Sequence, residues 1–407
     1  MNGWAAGFHQ AIDRDCAATD SVVLRYRKAC RVAAAMDADA DPRFDALLAE
    51  TSIREGLRVV PLFRFRGVEV DILDATSRMH TRTLKSIDGC VTTAHCRQRG
   101  LERIVFESGG NTGSALTVYG GRAGLETFLF VPTDNLPLLH SPAFAHERAH
   151  VIAVDDPRHV KPAARAFAAQ HGIARVPQLE WRYQASAFVG CFVLEHLLAG
   201  GGYDHIVQAI SAAFAPIGIY RALEPCRELL GGLPRFLGVQ QAANCPMVRA
   251  WRAAEALSVP ELTSTAGLLA KVMYDGEPRT YGTADELRRI LVATGGDLLT
   301  LDHAEFDEWL AVDVDGRPPL EHLTGRDVIV GQRGGEIVEK TGLMALAATL
   351  REIVAGRIAA GGRVLVCLTG GTALPDGLVQ PDHHVHGGAD EVMAATSAPP
   401  PAHGRHG

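Results

Sequence analysis

No pair of cysteines in this chain has the Cys-x-x-Cys spacing. The eight cysteines are scattered, which excludes a zinc knuckle and reads as free buried thiols, not a disulfide framework. Aromatic residues are scarce at 6%, while alanine and glycine are abundant, a composition that suits close-packed helices on a sheet. Positive charge is not in excess: Lys+Arg 40 against Asp+Glu 47 gives a formal charge of -7, so no nucleic-acid partner is expected. No apolar run approaches the roughly 20 residues that span a bilayer, and Met1-Asn2-Gly3-Trp4 opens no basic segment followed by an apolar one. The expectation is therefore a cytoplasmic protein without a membrane partner. At 407 residues the chain is long enough for two domains with a sizeable interior.

What the chain does have is an alternation of short apolar runs and helical patterns. Residues 1–56 read as a peripheral arm with a helical pattern over Ser21 to Ala40, broken at Asp41-Pro42. Strands follow at Leu57 to Leu62 and Val68 to Leu73. Thr83 is placed to cap a helix running from Leu84 toward Cys96. Further on come strand 104–107, helix 114–123, strand 127–132, helix near 138–147, strand 150–154, helix 159–171, strand 174–177 and helix 185–199. The second half gives strands at 206–210, 236–241 and 364–368, with helices at 248–257 and 341–360. Its polar middle, Tyr274 to Gly282 and Asp297 to Asp315, has little periodicity. Strands alternating with helices of about ten residues imply βαβ units and parallel, doubly wound sheets, hence an α/β fold. From residue 381 the chain is rich in His, Gly, Pro and Ala and reads as a disordered tail, 381–407. His383, His384 and His386 could bind a metal, but as an isolated cluster in such a tail they are not expected to, and no metal site is assigned.

One stretch organises the rest. In Ile104-Val105-Phe106-Glu107-Ser108-Gly109-Gly110-Asn111-Thr112-Gly113 an apolar run ends in two glycines, an Asn and a Thr before a helix begins. Glycines permit close backbone approach, and amides at a helix N-terminus favour a carboxylate or phosphate. In a doubly wound sheet such a turn lies beyond the strand C-termini, where ligands bind. Lys85 presents a second chemical clue, since a cation in a first helical turn opposes the macrodipole by roughly 0.3–1 kcal/mol. An exposed lysine can simply tolerate that field; a lysine held as a neutral imine removes the conflict.

Taken in order, Lys85, the 107–112 turn and Thr369-Gly370-Gly371 resemble the fold-type II pyridoxal-phosphate enzymes, the group containing threonine synthase, cysteine synthase and the tryptophan synthase β subunit. The resemblance runs from about Leu57 to Leu378, and within the group it is to threonine-synthase-like enzymes, cysteate synthase among them. Thr81-Arg82-Thr83-Leu84-Lys85 looks like their T-x-S-F-K, and Ser108-Gly109-Gly110-Asn111-Thr112-Gly113 like S-x-G-N-T-G. Gln240 with Pro246-Met247 and Ala250-Trp251 looks like Q…P-M…A-W. The likeness implies the tryptophan synthase β-like architecture: a large cofactor domain of 57–95 and 186–380, and a small substrate domain of 96–185. It implies pyridoxal 5'-phosphate as cofactor, a small-molecule amino-acid substrate with a small nucleophile, and a homodimer.

Site roles follow from the same likeness. Lys85 would hold the cofactor as a Schiff base and serve as the catalytic base at Cα. Asn111 would bond the ring hydroxyl oxygen. Ser108, Gly109, Gly110 and Thr112 would grip the substrate carboxylate, and Thr369 would face the pyridine nitrogen. A hydroxyl there, unlike a carboxylate, leaves the nitrogen unprotonated and favours prompt loss of a β leaving group to give an aminoacrylate. The implied reaction is β-replacement or β-elimination on an activated amino acid such as O-phosphoserine, with sulfite as nucleophile in the cysteate-synthase case. Threonine-synthase-like γ-chemistry, a dehydratase, and a non-catalytic relative that binds an amino acid or partner are the alternatives.

The chain departs from the family pattern in two places. The cofactor phosphate is usually held by a glycine-rich turn, where this chain has Ser211, Ala212, Ala213, Phe214, Ala215 and Pro216, with Ser211 the one side-chain donor. Relatives often carry an arginine and a glycine near the substrate, where this chain reads Arg182-Tyr183-Gln184-Ala185-Ser186, implying a different distal group. Arg78, His80 and Arg82 could supply charge for an anionic leaving group, though surface exposure is the simpler reading.

Overall fold

The computed structural model describes residues 3–30, 42–253, 257–259, 261–333, 336–337, 340–370 and 378–386. Its strands in chain order are β1 (Arg58–Phe65), β2 (Val68–Asp74), β3 (Arg103–Glu107), β4 (Glu126–Pro132), β5 (Ala149–Val154), β6 (Ala174–Arg175) and β7 (His205–Ala209). They continue with β8 (Arg235–Gln241), β9 (Asp297–Leu301), β10 (Gln332–Arg333), β11 (Glu336–Ile337), β12 (Arg363–Leu368) and β13 (His383–Val385). Two sheets result, a 6-stranded one ordered β1-β2-β12-β7-β8-β9 and a 5-stranded one ordered β13-β5-β4-β3-β6, beside a small β10-β11 ribbon. β1 turns back on β2 through Arg66-Gly67, both at positive φ (46° and 83°), a hairpin turn whose twist matches that of the strands. Every other pairing in the two large sheets is parallel, as strands joined through helices must be. The doubly wound α/β expectation is met.

Burial on both faces explains the near-continuous apolar strands. The helix Thr341–Val354 is buried along Gly342 to Leu350 and lies against β12, where a Cβ on Gly342 would sit 2.6 Å from the Leu368 side chain. The helices Leu179–Leu198 and Phe214–Leu223 approach even more closely. A Cβ on Gly190 would fall 2.2 Å from the Gly218 carbonyl oxygen, and one on Gly218 would fall 2.3 Å from the Ser186 carbonyl oxygen. This backbone-to-backbone contact fixes how closely the Phe214 helix lies against Leu179–Leu198. All eight cysteines are free, and all but Cys16 are buried.

Several segments differ from the sequence reading. The expected helix near 138–147 is two short 3-10 turns, Thr133–Leu138 and Ser141–Phe144, because Pro137 and Pro142 interrupt a regular helix. The polar middle contains the helices Ala284–Thr294 and His303–Leu310 around β9, the latter closed by a capping box of Asp302 and Glu305.

The N-terminal segment is not peripheral. Phe8, Val22, Val23 and Tyr26 are fully buried, and Arg25 and Tyr26 both donate to the Glu195 carboxylate. Glu55, also fully buried, accepts from Ser21, Ser52, Tyr119 and the amides of Ile53 and Arg54. Nor does a tail begin at 381: β13 extends the smaller sheet beside β5, and buried Val385 anchors it. Residues 31–40 of the expected first helix and 387–407 of the expected tail lie outside the described residues.

Candidate active site

The path into Lys85 is ordered by a buried carboxylate. Asp74, at the end of β2, accepts the amides of Thr76 (3.0 Å) and Ser77 (2.9 Å) and the Arg58 Nε (2.8 Å). Burial alone would raise the Asp74 carboxyl; the hydrogen bonds from Ser77, Arg58 and Thr76 outweigh it and hold the group below its usual range. The chain then meets the end of β12: the Leu84 amide donates to the Thr369 carbonyl at 2.9 Å, and Thr83 bridges Gly370. The helix runs Lys85–Gln98 with Leu84 at the N-cap. Thr83 caps from one residue further out, its hydroxyl accepting the Lys85 amide at 3.2 Å. Lys85 Nζ donates to Asp88 Oδ2 at 2.7 Å, and the Asp88 side chain is 8% exposed. An acid one turn along therefore offsets the clash between Lys85 and the helix dipole.

Beyond β3, the Ser108 turn is rigid. Ser108 Oγ accepts the amides of Gly110 (3.0 Å) and Gly113 (2.9 Å), and Gly110 adopts φ 148° at the N-cap of the helix Asn111–Arg122. Only glycine fits that backbone, and a Cβ on Gly109 would lie 2.6 Å from the Val272 carbonyl oxygen. Buried Asn135 donates to the Gly109 carbonyl at 2.8 Å and locks the turn from behind. The internal bonds narrow the expected anion grip. The Ser108 amide bonds the Phe130 carbonyl and the Gly110 amide bonds Ser108 Oγ, so neither is open to a ligand. Among the described residues, the amides of Gly109, Asn111 and Thr112 have no partner.

These elements line one cleft of about 520 Å³ between the sheets, within the range of small-molecule sites. Lys85, Ser108, Gly109, Asn111, Thr112, Thr369 and the whole Ser211–Ala215 turn reach it. In that turn Ala213 holds a left-handed conformation (φ 59°), a position that suits glycine, and heads the helix Phe214–Leu223. Pro216 falls in the first helical turn, where its missing N–H costs nothing, so Phe and Pro do not spoil the helix start. The amides of Ala212 to Ala215 have no partner among the described residues. The Ser211 hydroxyl, however, donates to the Met273 carbonyl (3.0 Å) and lies 3.1 Å from Tyr281 Oη, so it is not the free donor expected from sequence.

The cations of the cleft differ in one respect. Lys85 faces Asp88, Lys161 faces Asp275 (2.6 Å), Arg165 grips Glu277 and Arg175 meets Glu107 (3.1 Å). Arg182 lies over the Phe214 ring, 5.3 Å from its centroid, and faces no carboxylate among the described residues. Burial and Asp275 push the Tyr281 phenol up, opposed by the Ser211 hydrogen bond and the Arg182 charge. Arg78 and His80 are exposed, Arg82 donates to the Ser77 carbonyl, and none of the three lines the cleft.

A family model described as "Pyridoxal-phosphate dependent enzyme" matches residues 75–295, the span that carries Lys85, the Ser108 turn and the Ser211 turn. The chain belongs to this family. Its cofactor is pyridoxal 5'-phosphate.

A threonine synthase from Methanosarcina acetivorans is 22% identical over 288 residues, 68% of this chain and 64% of that protein's length, just under two thirds of it. A cysteate synthase from the same organism is 23% identical over 305 residues, 72% of this chain and 68% of its own. Solved structures share the fold. A threonine deaminase from T.th. has a TM-score of 0.57 at 16% identity, covering 83% of this chain and 99% of that one. Diaminopropionate ammonia lyase from Escherichia coli has 0.58 at 15%, covering 83% and 92%.

The donor set of the cleft fits this pyridoxal-phosphate cofactor. A lysine amine suits its aldehyde, and a helix start with open amides beside an unpaired guanidinium suits its phosphate. Gln240, part of the family-like Q…P-M pattern, holds the backbone together, since its Oε1 accepts the amides of Met247 and Val248 and its Nε2 reaches the Ile210 carbonyl. Asp88, Asn135 and Tyr281 escape a reading of the sequence, in which Arg182 stands out only as a substrate-side change. The i,i+3 spacing could have found Asp88. No local signal marks the others, because they meet the site only through the tertiary fold.

Proposed function

We propose that this pyridoxal-phosphate enzyme catalyses β-replacement or β-elimination on an amino acid whose side-chain oxygen carries an activating group, O-phosphoserine being the representative substrate. The observation that carries this reading is the hydrogen bond between Leu84 and Thr369, which sets a neutral hydroxyl residue beside the entry to Lys85 at the end of β12. When bound, the cofactor supplies an electron sink for the carbanion at Cα. Thr369 would present a hydroxyl and no negative charge to that sink, which suits expulsion of a good β leaving group.

The side chains then have separate roles. Lys85 Nζ anchors the cofactor and, once displaced, takes the Cα proton. Asp88, within hydrogen-bond reach of that nitrogen, stabilises the ammonium that results. The amides of Gly109, Asn111 and Thr112 would hold the α-carboxylate, and the Asn111 side chain would bond the ring oxygen. The amides of Ala212 to Ala215 hold the phosphate at the helix start, and Arg182 supplies the charge that this glycine-poor turn lacks.

The test is a substrate panel on the full-length, cofactor-loaded enzyme: O-phosphoserine, O-acetylserine and O-phosphohomoserine, each with and without sulfite. Phosphate release from O-phosphoserine, with cysteate formed when sulfite is present and pyruvate when it is absent, is the expected result. Turnover of the γ-substituted compound alone would replace this reading with threonine-synthase-like chemistry, and inertness toward every β-substituted compound would overturn it.

A further inference from the structure

Parallel pairing of β13 with β5 sets Val385 opposite Val154, so the next residues along, His386 and Asp155, emerge side by side at the carboxyl end of the sheet. Residues i and i+2 of a strand share a face, which brings His384 to the same side as His386, and the two rings stack at 5.0 Å between centroids. His386 Nδ1 lies 2.9 Å from Asp155 Oδ2, and His384 Nδ1 lies 3.7 Å from Asp155 Oδ1. One ligand atom from each of the three falls within 4.8 Å of the others, the one such convergence of three among the described residues. Tetrahedral donors about 2.0–2.1 Å from a Zn²⁺ ion stand roughly 3.3 Å apart; the two Asp155–histidine separations lie on either side of that value, and the full set, within 4.8 Å, would tighten around an ion.

The surroundings orient the carboxylate. The Thr133 hydroxyl donates to Asp155 Oδ1 at 2.6 Å, the kind of outer partner that orients a ligand. The backbone is equally constrained: the Asp155 amide donates to the Val385 carbonyl at 3.1 Å, and Asp382 is tied to Val151 through both its amide and its carboxylate. Two histidines and an aspartate on adjoining, mutually bonded strands therefore form a preset group, not a chance meeting of surface side chains.

The geometry points to a binding site for a borderline divalent transition ion such as Zn²⁺, held by Asp155, His384 and His386, with water completing the coordination. Imidazole and carboxylate donors select this class of ion over calcium or magnesium. The ion would staple the three-residue strand β13 to the edge of the smaller sheet. This site is independent of the cofactor cleft and of the reaction proposed for it.

Zn²⁺ titration of the full-length, cofactor-loaded and chelator-washed protein, read by calorimetry and by metal content after dialysis, tests the assignment. One ion per chain is expected, with a melting temperature that rises as Zn²⁺ is added. Asp155→Asn, His384→Ala and His386→Ala should each weaken binding at least about tenfold while the cofactor absorbance stays intact. His403→Ala with His406→Ala, which removes two histidines elsewhere in the chain, should leave binding unchanged. Binding that survives loss of all three proposed ligands, binding lost with His403 and His406 instead, or no stoichiometric binding at all would each overturn the site.

Discussion

Arg182 is the residue that we propose completes the phosphate site of a turn without glycines. Every other cation of the cleft faces a carboxylate, whereas this guanidinium rests on Phe214 at the start of a helix with open amides. Arg182→Ala is expected to weaken pyridoxal phosphate binding about tenfold to a hundredfold, the range for a lost hydrogen bond to a charged group. Binding of pyridoxal, which lacks the phosphate, should be unaffected. Absorbance titrations of the variant with both ligands make the comparison; equal losses for the two, or none for either, would remove Arg182 from the phosphate site. This residue also shows where sequence reading stops. Lys85, Asn111 and Thr369 are legible because each lies within a local pattern. Arg182 and Phe214 are far apart in the chain, and nothing local tells that one packs on the other. The free donor expected of Ser211 fails for the same reason, since its partners Met273 and Tyr281 come from the unpatterned middle of the chain.

At the scale of elements, the site depends on where helices begin. The Phe214 helix is positioned by its close crossing with Leu179–Leu198 at Gly218 and Gly190. Gly218→Ala would force a methyl group into the Ser186 carbonyl, and both partners are backbone. A loss of about 1–3 kcal/mol is expected, seen as a lower melting temperature. Pyridoxal phosphate retention through dialysis should fall as well, because the displaced helix carries the phosphate turn. A Gly218→Ala protein of unchanged stability and retention would refute this coupling. Most strands and helices around the cleft are readable from alternation and periodicity. The segment near 138–147 is not, because Pro137 and Pro142 weigh more than its apolar spacing. The helices after Tyr274 escape notice although Asp302-x-x-Glu305 is a helix-start signature. β13 is hidden by a His- and Gly-rich composition, and only the buried Val385 reveals why it pairs.

At the scale of the whole molecule, turns from both sheets, following four strands, converge on one amine. β2 delivers Lys85, β12 delivers Thr369, β3 delivers the Ser108 turn and β7 the Ser211 turn, all from the carboxyl ends of parallel strands. The N-terminal segment closes the rear of this arrangement through the buried Glu55 network and the Arg25–Glu195 pair. We propose that this convergence makes Lys85 the residue that binds the cofactor. It is tested most directly by loading the full-length protein with pyridoxal phosphate, reducing with borohydride and mapping the modified peptide by mass spectrometry. One phosphopyridoxyl group per chain is expected on Lys85, and none in Lys85→Ala. A group fixed on Lys161, Lys271 or any other lysine, or no fixed group in the native protein, would contradict it.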